Sequence, residues 1–218
     1  MKLLLVNGSP KGKTGNTELL MKYFINGYES VEGNEIIYNH LNRAEEIDNV
    51  IKNFKDCDTC IIALPLYIFS VPGRVMELFE NLQKRDGKTK IGFIVHSGFP
   101  EAMHSRALEN MLKCYPAKIG AEYIGTVVKG GSARLIRVPE SQNAKLFSMF
   151  YTLGAEFAST GAFDKKLVKK LASPERFHPL VMAAIKMKAS LGSLNKNWDV
   201  ALKKFGTYEK RYDKPYAG

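Results

Sequence analysis

The residues best suited to chemistry lie near the start of the chain, in the loop GSPKGKTGNT that begins at Gly8. Its Gly-Lys-Thr triplet at 12–14 has the letters of a triphosphate-binding loop. That motif, G-x-x-x-x-G-K-[ST], would need a glycine at position 7, where Asn7 stands. The dinucleotide fingerprint G-x-G-x-x-G fails too, because Pro10 takes the place of its second glycine. The spacing therefore excludes both motifs.

A simpler phosphate site is compatible with the same loop. An apolar strand precedes it, and a helix is predicted to start at about Asn16. The free amides and the dipole at a helix start attract anions. The side chains that could add hydroxyls and positive charge are Ser9, Lys11, Lys13, Thr14 and Thr17. An ordinary strand-to-helix loop without a ligand remains the alternative at this point.

The elements that must position this loop follow from hydrophobic periodicity. Apolar runs predict strands at 2–7, 34–41, 59–66, 90–98 and 121–131. Helical spacing predicts helices at 16–28, 44–54, 71–83 and 101–115. This alternation is typical of an α/β domain with a doubly wound, five-stranded parallel sheet. Ligands bind such sheets at the carboxyl ends of the strands, so the loops at 8–16, 65–71 and 96–101 are the candidate site.

The last third of the chain differs in charge and pattern. Residues 1–133 hold 16 basic and 15 acidic side chains, whereas residues 134–218 hold 16 and 7. Helical stretches are predicted at 143–158, 164–172, 178–192 and 197–205. We therefore expect a domain at 1–132 and a basic, mainly helical C-terminal extension at 133–218. The excess positive charge suits phosphates, nucleic acid or an anionic membrane, but also an ordinary solvated face.

Composition and cysteine usage indicate a cytoplasmic globular protein. No apolar run approaches the ~20 residues that span a bilayer, so we expect no membrane insertion. Cys57 and Cys60 form a C-x-x-C pair, which suits a redox pair or half of a zinc site. Cys60 also begins the apolar run CIIALPL, and no second ligand pair accompanies it. A buried strand is the preferred interpretation, and no metal is expected.

Three ordered segments give the chain a specific resemblance. GSPKGKTGNTE resembles the phosphate loop of the flavodoxin-like NAD(P)H-dependent FMN reductases. In that family a strand ends in P-x-Y and a Pro-Gly pair opens the next helix, and Pro65, Tyr67, Pro72 and Gly73 match those positions. The segment VHSGFPEA at 95–102 is similar to the family's loop beside the flavin ring. The resemblance covers residues 1–130 and implies a flavodoxin-like fold with bound FMN.

The resemblance also implies which residues would touch FMN. Its phosphate would be held by Ser9, Lys11, Thr14, Asn16 and Thr17. Its isoalloxazine ring would be flanked by Pro65, Leu66, Tyr67, Ile68 and Phe69, and closed at the other edge by Ser97, Gly98 and Phe99. No catalytic side chain is expected, because the flavin itself carries the hydride. His96 and His104 are expected to be structural or exposed, with Glu101 supporting the following helix start.

The activity implied is an FMN-dependent oxidoreductase that passes a hydride from NADH or NADPH to a small acceptor. Quinones, nitroaromatics, azo compounds and free flavin are the acceptor classes. The alternative is an electron-transfer flavoprotein, although such carriers are characteristically acidic and this chain has a net charge of +10. Nucleic-acid binding by the basic extension is not favoured, since no recognition motif accompanies it. The extension is expected to act as a lid or to support a homodimer.

Overall fold

The structure is a computed structural model that describes residues 1–84, 89–191 and 196–214. Five strands alternate with helices through the first 130 residues and are followed by further helices. The strands are β1 (Lys2–Asn7), β2 (Glu35–His40), β3 (Thr59–Pro65), β4 (Lys90–His96) and β5 (Glu122–Lys129). The helices are α1 (Asn16–Glu29), α2 (Glu46–Lys55), α3 (Gly73–Asn81), α4 (Arg106–Lys118), α5 (Ala144–Thr160), α6 (Lys165–Leu171), α7 (Pro179–Ser190) and α8 (Lys196–Lys204).

The strands form one parallel sheet in the order β2-β1-β3-β4-β5. Every residue of β3 is buried, including Cys60, as its apolar run predicted. Alternate residues along β1 face opposite layers: Leu4 packs with the apolar residues of α2, α3 and α4, and Leu5 with those of α1 and α5. The prediction of a doubly wound five-stranded sheet is confirmed. β2 is added on one side of β1, and β3 to β5 are added on the other side. This switch in strand order places a crevice at the carboxyl ends of β1 and β3.

Helix α5 belongs to the core of the sheet domain, although it lies beyond the predicted boundary at residue 132. It crosses α1 so closely that a Cβ on Gly27 would lie 1.9 Å from the Tyr151 carbonyl oxygen. A Cβ on Gly154 would lie 2.0 Å from the Phe24 carbonyl oxygen. Two glycines therefore allow the helix backbones to touch. The first compact unit accordingly runs from Met1 to Arg176.

The second compact unit, Phe177–Gly218, contains α7 and α8, so the C-terminal region is helical as predicted. None of the residues of α7 is buried. Large apolar side chains of the unit are exposed, among them Leu180, Met187, Trp198 and Phe205. Among the described residues, no helix combines the length and apolar character needed to cross a bilayer.

Candidate functional site

A cleft of about 180 Å³ lies at the carboxyl ends of β1, β3 and β4. It brings together the three loops that the sequence singled out. Its lining residues are Ser9, Lys11, Asn16, Thr17, Pro65, Leu66, Tyr67, His96, Ser97, Gly98, Ser132 and Ala133. The topology of the sheet therefore assembles a single site from segments that lie between Ser9 and Ala133 in the sequence.

The loop after β1 is held by hydrogen bonds within itself. Its Gly-Lys-Thr triplet forms a short 3-10 turn, Gly12–Thr14, rather than a triphosphate cradle. The Ser9 amide donates to Asn7 Oδ1 at 3.0 Å, and the Gly12 amide donates to the Ser9 carbonyl at 2.9 Å. The Lys11 amide donates to Ser9 Oγ at 3.3 Å. Asn7, which breaks the triphosphate motif, is thus the residue that fixes Ser9.

The start of α1 points an uncapped first turn at this loop. Gly15 is the N-cap residue, and no side chain among the described residues caps its first turn. A Cβ on Gly15 would lie 3.1 Å from Lys11 Cβ and 3.2 Å from Ser9 Oγ. The missing side chain keeps the space between loop and helix open. Uncapped amides beside such a space are suited to an oxyanion.

The carboxylate of Glu18 on α1 supports the loop after β1 through hydrogen bonds. Glu18 Oε2 accepts hydrogen bonds from Tyr38 Oη at 2.6 Å, His40 Nε2 at 2.8 Å and Asn7 Nδ2 at 3.0 Å. Burial acts to raise the pKa of Glu18, but the hydrogen bonds from Tyr38, His40 and Asn7 together lower it. Burial, then the bond to Glu18, raises the pKa of Tyr38. This cluster joins β1, β2 and α1 and fixes Asn7.

The floor of the cleft contains a buried histidine. His96 Nε2 lies 2.7 Å from Thr17 Oγ1, and His96 Nδ1 lies 2.8 Å from Ser132 Oγ. The Ser132 hydroxyl donates to the Ser97 carbonyl at 2.8 Å. Burial lowers the pKa of His96 to about 4, so the ring is neutral at pH 7. A neutral imidazole therefore joins the start of α1 to the segment after β5.

The segment after β5 closes the site on one side. The Ser132 amide donates to the Ser97 carbonyl and the Gly131 amide to the Phe99 carbonyl, both at 2.8 Å. Asn16 Oδ1 accepts from the Ile136 amide at 3.1 Å, which ties this segment to α1. These bonds bring Ser132 and Ala133 to the cleft wall.

The rim of the cleft is apolar and exposed. Tyr67 and Ser70 exchange backbone hydrogen bonds of 2.9 and 3.1 Å around a tight turn. Ile68 and Phe69 in that turn have positive φ of 47° and 62°, which is rare for residues with large side chains. The Phe69 ring stacks on Phe99 with centroids 6.0 Å apart. The turn thus presents a flat aromatic surface to solvent.

Nine of the thirteen residues expected at the site line the cleft: Ser9, Lys11, Asn16, Thr17, Pro65, Leu66, Tyr67, Ser97 and Gly98. The other four do not line it. Thr14 donates its hydroxyl to the Lys11 carbonyl at 3.0 Å, on the outer side of the loop. Ile68, Phe69 and Phe99 lie on the exposed rim.

Sequence reasoning missed three lining residues: His96, Ser132 and Ala133. His96 is buried and hydrogen-bonded at both ring nitrogens, and it also lines the cleft. Its position as the last residue of an apolar strand, directly before the Ser-Gly loop, is a signal that could have identified it. Ser132 and Ala133 lack such a signal, because they follow the minimal α/β pattern.

A larger cavity of about 970 Å³ lies between β5 and α6. It shares no lining residue with the cleft and lies away from the carboxyl ends of β1 and β3. Size alone therefore does not identify the functional site. The smaller cleft carries the convergent polar groups that ligand orientation requires.

Comparisons with known proteins agree with this architecture. A family model described as a flavodoxin-like fold matches residues 1–128, more than half of the chain. No curated protein matches. Many solved structures resemble the chain. Three of them, with TM-scores above 0.5, are under 20% identical to it, a level that establishes the fold alone.

The first is an FMN-dependent NADH-azoreductase from Bacillus anthracis in complex with FMN, with a TM-score of 0.56 at 18% identity, covering 72% of this chain and 100% of that one. The second is an NAD(P)H:quinone oxidoreductase from Methanothermobacter marburgensis, with a TM-score of 0.57 at 12% identity, covering 72% and 96%. The third is an NADH:FMN oxidoreductase in apo form, with a TM-score of 0.56 at 14% identity, covering 79% and 96%.

Proposed function

The chain belongs to the family of proteins with a flavodoxin-like fold, and from that premise we propose that it is an FMN-dependent oxidoreductase. It would take a hydride from NADH or NADPH and pass it through FMN to a small acceptor. The observation that carries the proposal is the convergence of three loops on one cleft at the switch point of the sheet. Solved structures named as FMN-dependent azoreductase, quinone oxidoreductase and FMN oxidoreductase support the same reaction class.

The deep part of the cleft fits a phosphate monoester. The uncapped start of α1 and the open space at Gly15 supply amide donors and room. Lys11 adds a positive charge at the edge of the cleft. The Ser9 hydroxyl accepts from the Lys11 amide, so its own proton is available to a ligand. These residues, with Asn16 and Thr17, would hold the FMN phosphate.

The open part of the site fits a flat ring. The cleft of 180 Å³ is smaller than the roughly 300–1,000 Å³ of ligand pockets that enclose a whole molecule. A flavin ring would therefore lie at its mouth, where Pro65, Leu66 and Tyr67 form one wall. The exposed rings of Phe69 and Phe99 extend that apolar surface. Gly98 would allow the ring edge to approach the backbone of the third loop.

Bound FMN would supply the hydride chemistry, and the protein would supply binding, orientation and exclusion of water. The apolar wall disfavours water beside the ring. The backbone groups at 97–99 would meet its polar edge. We assign no side chain as acid or base, because the histidine in the cleft is buried and engaged at both ring nitrogens. Tyr67 is placed as a wall residue only.

The experiment that tests this function is reconstitution of the purified protein with FMN, followed by its visible spectrum. Anaerobic titration with NADH and NADPH should then bleach the flavin absorbance. Riboflavin, which lacks the phosphate, is the matched ligand and should bind more weakly. A protein that stays colourless after reconstitution would disprove the proposal.

Steady-state turnover distinguishes the enzyme from the electron carrier. We expect oxidation of NADH or NADPH with a quinone, a nitroaromatic, an azo dye or free flavin as acceptor. Rapid electron exchange with a partner protein but no turnover with these acceptors would favour the carrier. The acceptor that gives the highest kcat/KM would identify the substrate class.

We further propose a cytoplasmic homodimer in which the C-terminal extension supports the subunit contact or covers the flavin. Removal of residues 133–218 is unsuitable as a test, because α5 contributes the fully buried Phe150 and Phe157 to the core. Sedimentation of the full chain should report two subunits. Shortening the chain after Arg176, at the division between the compact units, should then change the number of subunits or the rate of NAD(P)H oxidation.

A further inference from the structure

A chain of hydrogen bonds runs beneath the cleft from α1 to the segment after β5. It starts at Thr17 Oγ1, which lies 2.7 Å from His96 Nε2. It continues from His96 Nδ1 to Ser132 Oγ at 2.8 Å and from that hydroxyl to the Ser97 carbonyl at 2.8 Å. The exposed fractions of the four side chains are at most 5%. This burial restricts the access of water to the four residues, so their hydrogen bonds to one another decide which atom carries each proton.

The proton count fixes the tautomer of His96. A carbonyl oxygen only accepts, so the Ser132 hydroxyl must give its single proton to Ser97 to avoid two facing lone pairs at 2.8 Å. Ser132 Oγ then accepts from His96, which places the ring proton on Nδ1. Because the ring is neutral, Nε2 is bare and accepts a hydrogen bond from the Thr17 hydroxyl.

This arrangement is unfavourable for an anion at Thr17. The hydroxyl proton faces the histidine, so Thr17 Oγ1 turns only lone pairs toward the cleft. A phosphate dianion needs donors at that position. If His96 gains a proton on Nε2, the ring becomes the donor and the Thr17 hydroxyl is free to rotate toward the ligand. The buried dianion would in turn stabilise the imidazolium.

We propose that His96 is a positioning residue whose Nε2 takes up a proton when a phosphate monoester dianion binds the cleft, so that Thr17 becomes a hydrogen-bond donor to that phosphate. The inference rests on the proposed function, because FMN is the ligand that would bring the monoester. It goes beyond that function by coupling cofactor binding to protonation of a residue beneath the site.

The charged groups around His96 do not provide another site that would take up the proton. The other titratable side chains that line the cleft are Lys11 and Tyr67. Lys129 on β5 is in register with His96, and its Nζ donates to the Gly130 carbonyl at 2.6 Å. Both lysines oppose an imidazolium in the free protein. On α1 the neighbouring Glu18 is already engaged by Tyr38, His40 and Asn7.

The test is ¹⁵N NMR of the histidine side chains at pH 7, where FMN phosphate is mainly a dianion, with and without FMN. His96→Gln assigns the signals. We expect the Nδ1–H tautomer in the free protein and a doubly protonated ring in the FMN complex. Riboflavin should leave the ring neutral. Calorimetry in buffers of different ionisation enthalpy should show uptake of about one proton per FMN, and this uptake should vanish in His96→Gln.

Thr17→Val supplies a second variant that keeps the histidine. It should weaken FMN binding about tenfold, leave riboflavin binding unchanged and abolish the proton uptake. Thr14→Val is the matched control, since the Thr14 hydroxyl donates to the Lys11 carbonyl outside the cleft, and it should preserve proton uptake.

Two negative results have different meanings. FMN binding with His96 neutral in the complex would overturn the inference and leave the proposed function standing. Failure of FMN to bind the wild-type protein would remove the proposed function and the inference together.

Discussion

The deep end and the rim of the cleft are built in opposite ways. At the deep end Ser9, Thr17, His96 and Ser132 are buried, and hydrogen bonds engage each of them. At the rim Ile68 is 94% exposed and Phe69 and Phe99 are about half exposed. The deep end is therefore preorganised for a small polar group. The rim offers an apolar surface whose burial by a flat ligand would be favourable.

The largest expected effect concerns the buried histidine of the deep end. The unfolded chain binds a proton at His96 below about pH 6.5, whereas the folded protein does so only below about pH 4. Stability from this residue is therefore complete above pH 6.5 and is lost as the pH falls toward 4. The free energy of unfolding of the FMN-free protein should drop by about 3 kcal/mol across that window.

Urea unfolding at a series of pH values measures the slope of the free energy of unfolding against pH. His96→Gln should flatten it, because the variant carries no imidazole at this position. An unchanged slope in His96→Gln would show that other groups control stability in this range. If FMN binding protonates His96, saturating FMN should also reduce the slope.

The second prediction separates a charge at the edge of the cleft from a charge outside it. Lys11 lines the cleft, whereas Lys13, two residues later, lines a neighbouring depression. Lys11→Glu should weaken FMN binding by about tenfold or more and leave riboflavin binding nearly unchanged, because only FMN carries the phosphate. Lys13→Glu is the control with a smaller effect. Fluorescence titration gives both Kd values. Equal losses of FMN affinity in the two variants would indicate that only the overall positive potential of the region matters.

The third prediction tests the strain of the rim. Ile68 is β-branched and has φ of 47°, so its backbone conformation is strained and costs free energy. Because its side chain is almost fully exposed, burial does not offset that cost. Ile68→Asn should raise the free energy of unfolding by about 1 kcal/mol, since asparagine tolerates this backbone region. The melting temperature should rise by roughly 2–4 °C. A lower melting temperature would mean that Ile68 makes stabilising contacts.

The smallest effect is expected at the aromatic surface. Phe69→Ala should weaken FMN and riboflavin binding by the same factor, about threefold, because the ring of each ligand loses the same apolar contact. The ratio of the two Kd values should stay at its wild-type value. A selective loss of FMN binding would contradict the division between deep end and rim. Met111→Ala, at an exposed apolar residue of α4, serves as the control.

Much of the fold could be predicted because its signals are local. The apolar runs of the five strands and the helical spacing between them have distinct periods. The observed strand β1 and helix α1 agree with those patterns to within a residue or two at each end. Once the chain is recognised as a parallel α/β domain, the carboxyl ends of its strands give the site. That is why the three candidate loops could be selected in advance.

The remaining features depend on contacts between distant segments. The role of Gly154 is visible only where α5 crosses α1, more than 100 residues away in sequence. Ser132 enters the cleft because its amide bonds to the Ser97 carbonyl, which no local pattern encodes. The positive φ of Ile68 likewise arises from the turn closed by Tyr67 and Ser70. Local propensity does not predict such placements.

The sequence by itself determined the α/β class, the order of the elements and the loop that cannot be a triphosphate motif, because periodicity and spacing are properties of the linear chain. Only the tertiary structure decided that His96 lies between Thr17 and Ser132, and that the exposed aromatic rings face outward from a polar floor. The physical reason is burial: the protonation and hydrogen bonding of a side chain depend on partners that only folding brings within reach.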